Sequence, residues 1–479
     1  MDKAELKKRL VGILGEEGVK DDAATLEEFS HDMTEIEGAM PSFVVAATTA
    51  EQVQGLMRLA NEARVGVTPR VAGTNLGGLS LPAEGGIVLD LRKMNKIHEV
   101  NPVEMYAVIE PGTSFADMRA YLDEHNPELR IGYPLAPPEV SVVCNCLCQG
   151  LGNLSIRGGA MDEWINGLEV VLPSGAMART GSMAISDVAY GRAPLPDVTG
   201  LFIGFQGTTG VVTRASIELY PENPYRWRGF ILNYSFEGTY DVIRRLARMD
   251  ICDDMGGLSW PTGKMMFGVE RPGERDPDEP EFFLYLDISG VTEEHLQWKM
   301  SLVDQAVGEM RAQGHRLEEP LGITDLIKLN PAFESFAEFP TRLGFLLDHA
   351  GGGLTWVGLY GPMSKWDVAS REGEKIMGRY GFPPALVSRP MKGGHFCVLR
   401  FIETFDRKDP DEVQRVRDCH KELVQMAIGH GYVPYKTPQW IVGSAFKEQM
   451  DPGFLGLVRG VKRLLDPNQV MNPGKWETE

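Results

Sequence analysis

The segment VTPRVAGTNLGGLSLP, Val67 to Pro82, restricts the fold more than any other stretch of the chain. A short strand-like run opens directly into a loop carrying Gly73, Gly77 and Gly78. The residues before it, SFVVAATTAEQVQGLMRLANEARV, read as a strand and then a helix, with Thr49 as N-cap and Glu51 near the positive helix end. Glycines in such a loop let backbone N–H groups come close to an anion, although an ordinary turn has the same composition. The loop has no lysine and matches neither G-x-G-x-x-G nor the Walker pattern, so it is not a standard Rossmann or NTPase loop.

Strand IVLDL, strand YAVIEPG and helix SFADMRAYLDEH follow, so strands and helices interleave in this part of the chain. Then comes VVCNCLCQGLGN, Val142 to Asn153, with Cys144, Cys146 and Cys148 at every second position. If the segment is extended, alternation puts the three thiols on one side, as a metal comb, a redox centre or a buried strand entering a turn. The chain has no C-x-x-C pair, which four-ligand zinc or iron–sulfur sites usually show, so no metal is expected. LEVVLPSGAMART reads as a hairpin turning at Pro-Ser-Gly, and GLFIGFQGTTGVVTRASIELYP as another glycine-rich loop with a closing strand.

At 479 residues the chain exceeds one compact core. The texture changes after Pro221, where Pro-Glu-Asn-Pro marks a linker. RGFILNYSF, TYDVIRRLARMD, FFLYLDISG and TEEHLQWKMSLVDQAVGEM form a β-α-β-α unit, and a comparable unit runs from GLTWVGLYGPMS to DEVQRVRDCHKELVQMAIGHG. Two such units predict an antiparallel sheet with helices on one face. The expected divisions are 1–222, 223–430 and 431–479, the last returning to the first, while the irregular stretch 322–347 is a candidate cover for a cleft.

Net charge is 48 minus 67, or −19, which argues against a nucleic-acid partner and suits small-molecule chemistry. The opening MDKAELKKRLVGILGEEGVKDD is an amphipathic helix without the apolar centre of a signal peptide, and no apolar run is long enough to span a membrane. A cytoplasmic protein with free thiols is expected.

The ordered set GTNLGGLSLP, GGIVLDLRKMNKI, YAVIEPG, SVVCNCLCQGLGN, GLEVVLPSGAMARTG, LFIGFQGTTGVVTR and LLDPNQVMNPGK resembles the vanillyl-alcohol-oxidase flavoproteins, closest to the branch containing 4-cresol dehydrogenase. The resemblance implies an α+β protein: a two-subdomain FAD-binding domain of p-cresol-methylhydroxylase type and a cap domain with an antiparallel sheet. It implies FAD as cofactor, and because no family His or Tyr anchor aligns with this chain, noncovalent FAD is expected. The first loop, Arg70, Ala72, Gly73, Thr74, Asn75, Leu76, Gly77, Gly78 and Ser80, would hold the pyrophosphate. Pro137, Ser141, Val142, Asn145, Gly150, Leu151 and Gly152 would line the flavin, and Gly207, Gly210, Val211 and Val212 the adenine and ribose side. Asn472 and Lys475 would return to the isoalloxazine, with Lys475 as a cation at its N1/O2 edge; the plain alternative is a solvated terminal lysine.

In the phenol-oxidising branch a Tyr-Arg pair and a first-loop tyrosine hold the substrate. GYVPYKT supplies Tyr435, but Lys436 stands where the arginine would be, and the first loop lacks the tyrosine. Cys148 stands where that branch has an acidic residue near flavin N5, so Cys148 is expected to face the site and Cys144 and Cys146 to be packed thiols. In HFCVLRFIETF, His395 is a candidate base or a structural histidine, and Arg400 a carboxylate anchor or a surface ion pair. The 2-hydroxy-acid branch (glycolate oxidase, D-lactate dehydrogenase) usually carries a histidine-rich stretch of the GHAGDGNLH type, and the chain has none.

The implied function is hydride removal from an aromatic or related alcohol, or an alkylphenol, to flavin N5, with electrons passed onward. The partners are a small-molecule substrate and a candidate acceptor protein (cytochrome, iron–sulfur protein or electron-transfer flavoprotein), with a homo-oligomer or a larger complex as the assembly. The alternatives are a hydroxy-acid dehydrogenase subunit, an electron-transfer subunit and a noncatalytic binding protein.

Overall fold

Two sheets of the N-terminal half and one large sheet beyond them set the architecture. The computed structural model describes residues 1–266, 268–336 and 349–476. The first sheet runs Val19–Lys20, Phe43–Ala46, Ile87–Asp90, Val67–Arg70, with the last three parallel. Parallel strands need a crossover, and helix Ala50–Ala63 supplies it. Thr49 caps this helix by accepting from the Gln52 N–H at 3.3 Å, as expected. Its apolar stripe, Val53, Leu56, Met57 and Ala60, buries against Leu6 and Leu10 of helix Lys3–Leu14 and against the sheet.

The second sheet is antiparallel: Ile97–Asn101, Tyr106–Ile109, Val211–Glu218, Ile165–Val171 and Met177–Arg179. Helix Phe115–His125 begins with a capping box between Ser114 and Asp117.

Among the described residues the third sheet has eight antiparallel strands, and Tyr225–Asn233, Phe282–Gly290, Gly352–Gly361 and Phe396–Asp406 are the strands of the two β-α-β-α units. Period-two alternation divides its side chains. Cys397, Leu399 and Phe401 join the core formed with helices Phe236–Ala247, Glu293–Ala312, Trp366–Arg379 and Pro410–Gly429. Leu354, Val387 and Ile402 face the other way and share a core with Leu76, Tyr133 and Val142 of the N-terminal half. Helices therefore cover one face of the large sheet and the N-terminal half covers the other, which places any cleft between them.

The C-terminal segment joins both parts. Val433–Pro434 pairs with the edge of the large sheet, and Met471 forms a parallel bridge with Val67. Of the irregular stretch 322–347, residues 337–347 lie outside the described residues; the rest is helix Ile323–Leu329 and a tight turn Pro331–Phe336. Among the described residues no helix is long and apolar enough to cross a membrane.

Candidate functional site

A cleft runs between the two halves. Its first wall is the glycine-rich loop, from which Arg70, Ala72, Gly73, Thr74, Asn75, Leu76 and Ser80 line it. Gly73 and Gly78 have φ of 69° and 61°, in the left-handed region that favours glycine. At Gly77 a Cβ would collide with the carbonyl oxygen of Lys436, so the loop closes against the C-terminal segment only because that side chain is absent. Gly77 and Gly78 do not themselves line the cleft. Arg70 donates to the carbonyl of Phe29 at 3.2 Å and lies over its ring, which fixes the base of the loop.

The opposite wall comes from Pro137, Ser141, Asn145 and Cys148, and one end from Gly207, Gly210, Val211, Val212 and Asn472. Val142 and Leu151 are core residues, and Gly150 and Gly152 act from behind the wall. A Cβ at Gly150 would collide with the Asn145 side chain, and one at Gly152 would come within 2.8 Å of the Gly132 carbonyl. Lys475 is buried, donates to the Gly78 carbonyl at 3.0 Å and does not line the cleft; burial pulls its amine down to about 8.

These residues fit FAD. Among the described residues the backbone N–H groups of Ala72 to Leu76 have no protein acceptor, and the buried Ser80 hydroxyl has no partner. Clustered free donors without a lysine suit a diphosphate held by main chain. Gln206 Oε1 and Asn472 Oδ1, also on the cleft, are buried acceptors without donors, complementary to the ring N–H and hydroxyl groups of a flavin nucleotide. Asn472 is itself fixed by donating to the Gln206 carbonyl at 2.7 Å.

The cysteine segment is not extended. Val142–Leu147 is a helix, N-capped by Ser141, whose hydroxyl accepts from the Cys144 N–H at 3.1 Å. Helical spacing places Cys144 and Cys148 on the cleft and turns Cys146 into the core. Cys144 packs against the core of the first sheet, as expected, and also lines the cleft, which Cys148 faces too. Burial raises all three thiols, Cys144 to about 12. All six cysteines are free.

At the end of the cleft formed by the large sheet, Leu354, Trp356 and Ile402 make an apolar wall beside Lys436 and Cys148. Tyr435 and Arg400 lie one layer behind, both buried. The Arg400 guanidinium donates to the Tyr435 hydroxyl at 2.8 Å and lies 4.8 Å from the Trp356 ring centroid. Arg400 is thus no surface ion pair. The arginine missing next to Tyr435 in sequence reaches it instead from strand Phe396–Asp406, across the intervening strand Gly352–Gly361. Lys436 Nζ donates to Asn145 Oδ1 at 3.5 Å, and burial lowers this amine to about 8.

His395 is not brought to the site. It precedes strand Phe396–Asp406, is exposed, and among the described residues has one ring contact, to the Phe396 ring edge. The three residues Lys392–Gly394 form a tight turn that carries it outward, so strand alternation does not extend to it. Trp356 and Tyr360 were not singled out from sequence, although GLTWVGLYG alternates in the way that puts both on the cleft face. The Tyr360 ring lies 4.6 Å from that of Tyr435, and its hydroxyl donates to the Gln149 carbonyl at 2.7 Å.

Residues 41–181 match the FAD binding domain family, and residues 362–476 match the C-terminal domain of FAD linked oxidases. The 4-cresol dehydrogenase (hydroxylating) flavoprotein subunit of Pseudomonas putida is 25% identical over 509 residues, covering 97% of this chain and 93% of that protein. Glycolate oxidase subunit GlcD of Bacillus subtilis is 32% identical over 486 residues, covering 98% and 96%. A crystal structure of p-cresol methylhydroxylase with substrate bound shares the fold, with a TM-score of 0.85 at 21% identity over 99% of this chain and 97% of that one.

Proposed function

Because the chain belongs to the FAD-linked oxidoreductases that include 4-cresol dehydrogenase and glycolate oxidase subunit GlcD, we propose that it oxidises an aromatic or related alcohol, or an alkylphenol. The observation that carries this reading is the end of the cleft where the apolar wall of Leu354, Trp356 and Ile402 meets the amine of Lys436. A flat apolar ring with one oxygen substituent matches that surface, since the ring gains burial and the oxygen gains a hydrogen-bond partner in the amine.

FAD, when bound, supplies the acceptor for the hydride leaving the substrate carbon. The protein's part is to hold and orient. The first loop and the 206–212 loop hold the cofactor, Trp356 fixes the plane of the substrate ring, and the Arg400–Tyr435 pair keeps a positive field behind it. Fixed dipoles and charges in a site shielded from water cost no reorganisation during reaction.

The first relative is by name a flavoprotein subunit, which supports an electron-accepting protein partner for this chain. A second reading, oxidation of a 2-hydroxy acid, is favoured by the 32% identity to the glycolate oxidase subunit and by the buried Arg400. Ligand titration of the holoenzyme separates the two. Aromatic binding is expected to perturb the flavin spectrum with 4-hydroxybenzaldehyde and to be lost in Trp356→Ala. Perturbation by D-lactate alone would favour the hydroxy acid.

A further inference from the structure

We propose that Lys436 is the base that takes the proton from the substrate hydroxyl, an inference that rests on the alcohol oxidation argued above. Its position is fixed from three sides. The Lys436 backbone has φ of 51°, a conformation L side chains rarely adopt, and its carbonyl fills the space left by the missing side chain of Gly77. Its amine reaches Asn145 Oδ1 at 3.5 Å on the second wall and stands 5.8 Å from the Trp356 ring centroid on the third. The side chain lines the cleft where the substrate oxygen would enter.

The surroundings select the neutral amine. Among the described residues the titratable and charged groups facing Lys436 are Cys148, Arg400, Cys144 and Tyr435, and none is a carboxylate. An ammonium buried without a counter-ion is costly. Where a lysine and an arginine share a buried site, the lysine is the one that yields its proton, because a guanidinium is the stronger base. Burial draws its amine down to about 8, with Cys148 opposing and Arg400 assisting. Other candidates are set aside by placement: Cys148 is held as a neutral thiol by burial, the Tyr435 oxygen already accepts from Arg400, and His395 is exposed elsewhere.

In the step, the substrate O–H bond breaks and its proton goes to Lys436 Nζ. The C–H bond breaks with its electron pair leaving as hydride to FAD, and a C=O bond forms. The substrate thus loses two electrons and two hydrogens, and the new ammonium returns its proton to solvent.

The test uses FAD-loaded protein, 4-hydroxybenzyl alcohol as probe, and Lys436→Arg and Lys436→Ala variants checked for FAD content. A lost general base is expected to slow flavin reduction on the order of 10²–10⁴-fold in both. Wild-type reduction should rise with pH through about 8 and the variants should lack that limb. Added ethylamine should restore part of the rate to Lys436→Ala but not to Lys436→Arg. Independently of turnover, reductive methylation of Lys436 followed by peptide mass mapping should show half-maximal reactivity near pH 8. A Lys436→Arg variant within a few-fold of wild type, or an amine reactive only at the pH of an ordinary lysine, would overturn the base role alone. A wild-type protein reduced by no alcohol would overturn the substrate reading and the base with it.

Discussion

The guanidinium of Arg400 donates through Nε to the Tyr435 hydroxyl at 2.8 Å, tying strand Phe396–Asp406 to the turn after Val433–Pro434. Both groups are buried, so the bond cannot be exchanged for one to water. Tyr435→Phe removes the acceptor and leaves a charged donor short of a partner, at a cost of about 1–3 kcal/mol. Urea unfolding of the holoenzyme should show the lower midpoint, and flavin reduction should slow in parallel. An unchanged midpoint would mean that the pair contributes nothing to the fold.

Gly77 leaves no room for a side chain beside the Lys436 carbonyl. Gly77→Ala should force the first loop away from the C-terminal segment, with a strain of about 1–3 kcal/mol. With the first loop in its proposed role of holding FAD, the FAD dissociation constant should rise about tenfold per 1.4 kcal/mol of that strain. Fluorescence titration of the apoprotein with FAD measures it, and an unaltered constant would show that the loop has another way to settle.

The contrast between well-read and misread segments has a physical basis. In Phe396–Asp406 the alternation of Cys397, Leu399 and Phe401 with Arg400 and Ile402 is long enough to fix both faces, and the structure follows it. Val142–Leu147 is only six residues long, so its helical period has no room to show, and three alternating cysteines imitate a strand. The Ser141 cap was the available signal. Trp356 was legible in principle from the alternation in GLTWVGLYG. Met33 was not: it reaches the cleft through a backbone bond from Leu354 N–H to its carbonyl at 2.9 Å, a pairing across a long sequence separation that no local pattern announces. The arginine at Tyr435 was sought one residue along and arrives from a strand 35 residues earlier.

His420 is buried between two carboxylates, 3.0 Å from Glu403 and 3.5 Å from Glu35, and so joins helix Pro410–Gly429 to the large sheet and to the N-terminal half. Despite its burial, the two carboxylates raise its folded pKa from 6.5 to about 10. A raised folded pKa means stability fully present below about 6.5 and lost as pH climbs through about 10. Urea midpoints should fall over that window in the wild type and lose this dependence in His420→Gln. The variant leaves two buried carboxylates without their cation and should be less stable by about 3–5 kcal/mol.

Cys148 faces the cleft as a thiol whose pKa is raised by burial, with Lys436 opposing. Near neutral pH it should therefore react slowly with iodoacetamide, read by mass spectrometry of the peptide that carries it. Cys148→Ser should reduce its flavin within a few-fold of the wild-type rate. A large loss of rate would instead give the sulfur a direct part in the chemistry.

Oxidation of an aromatic alcohol in this cleft, with FAD as acceptor, can be followed by anaerobic mixing of the holoenzyme with a substrate panel. 4-Hydroxybenzyl alcohol and related aromatic alcohols or alkylphenols should bleach the oxidised flavin, with one equivalent of oxidised product per FAD. Bleaching by glycolate or D-lactate while every aromatic compound leaves the flavin oxidised would contradict it.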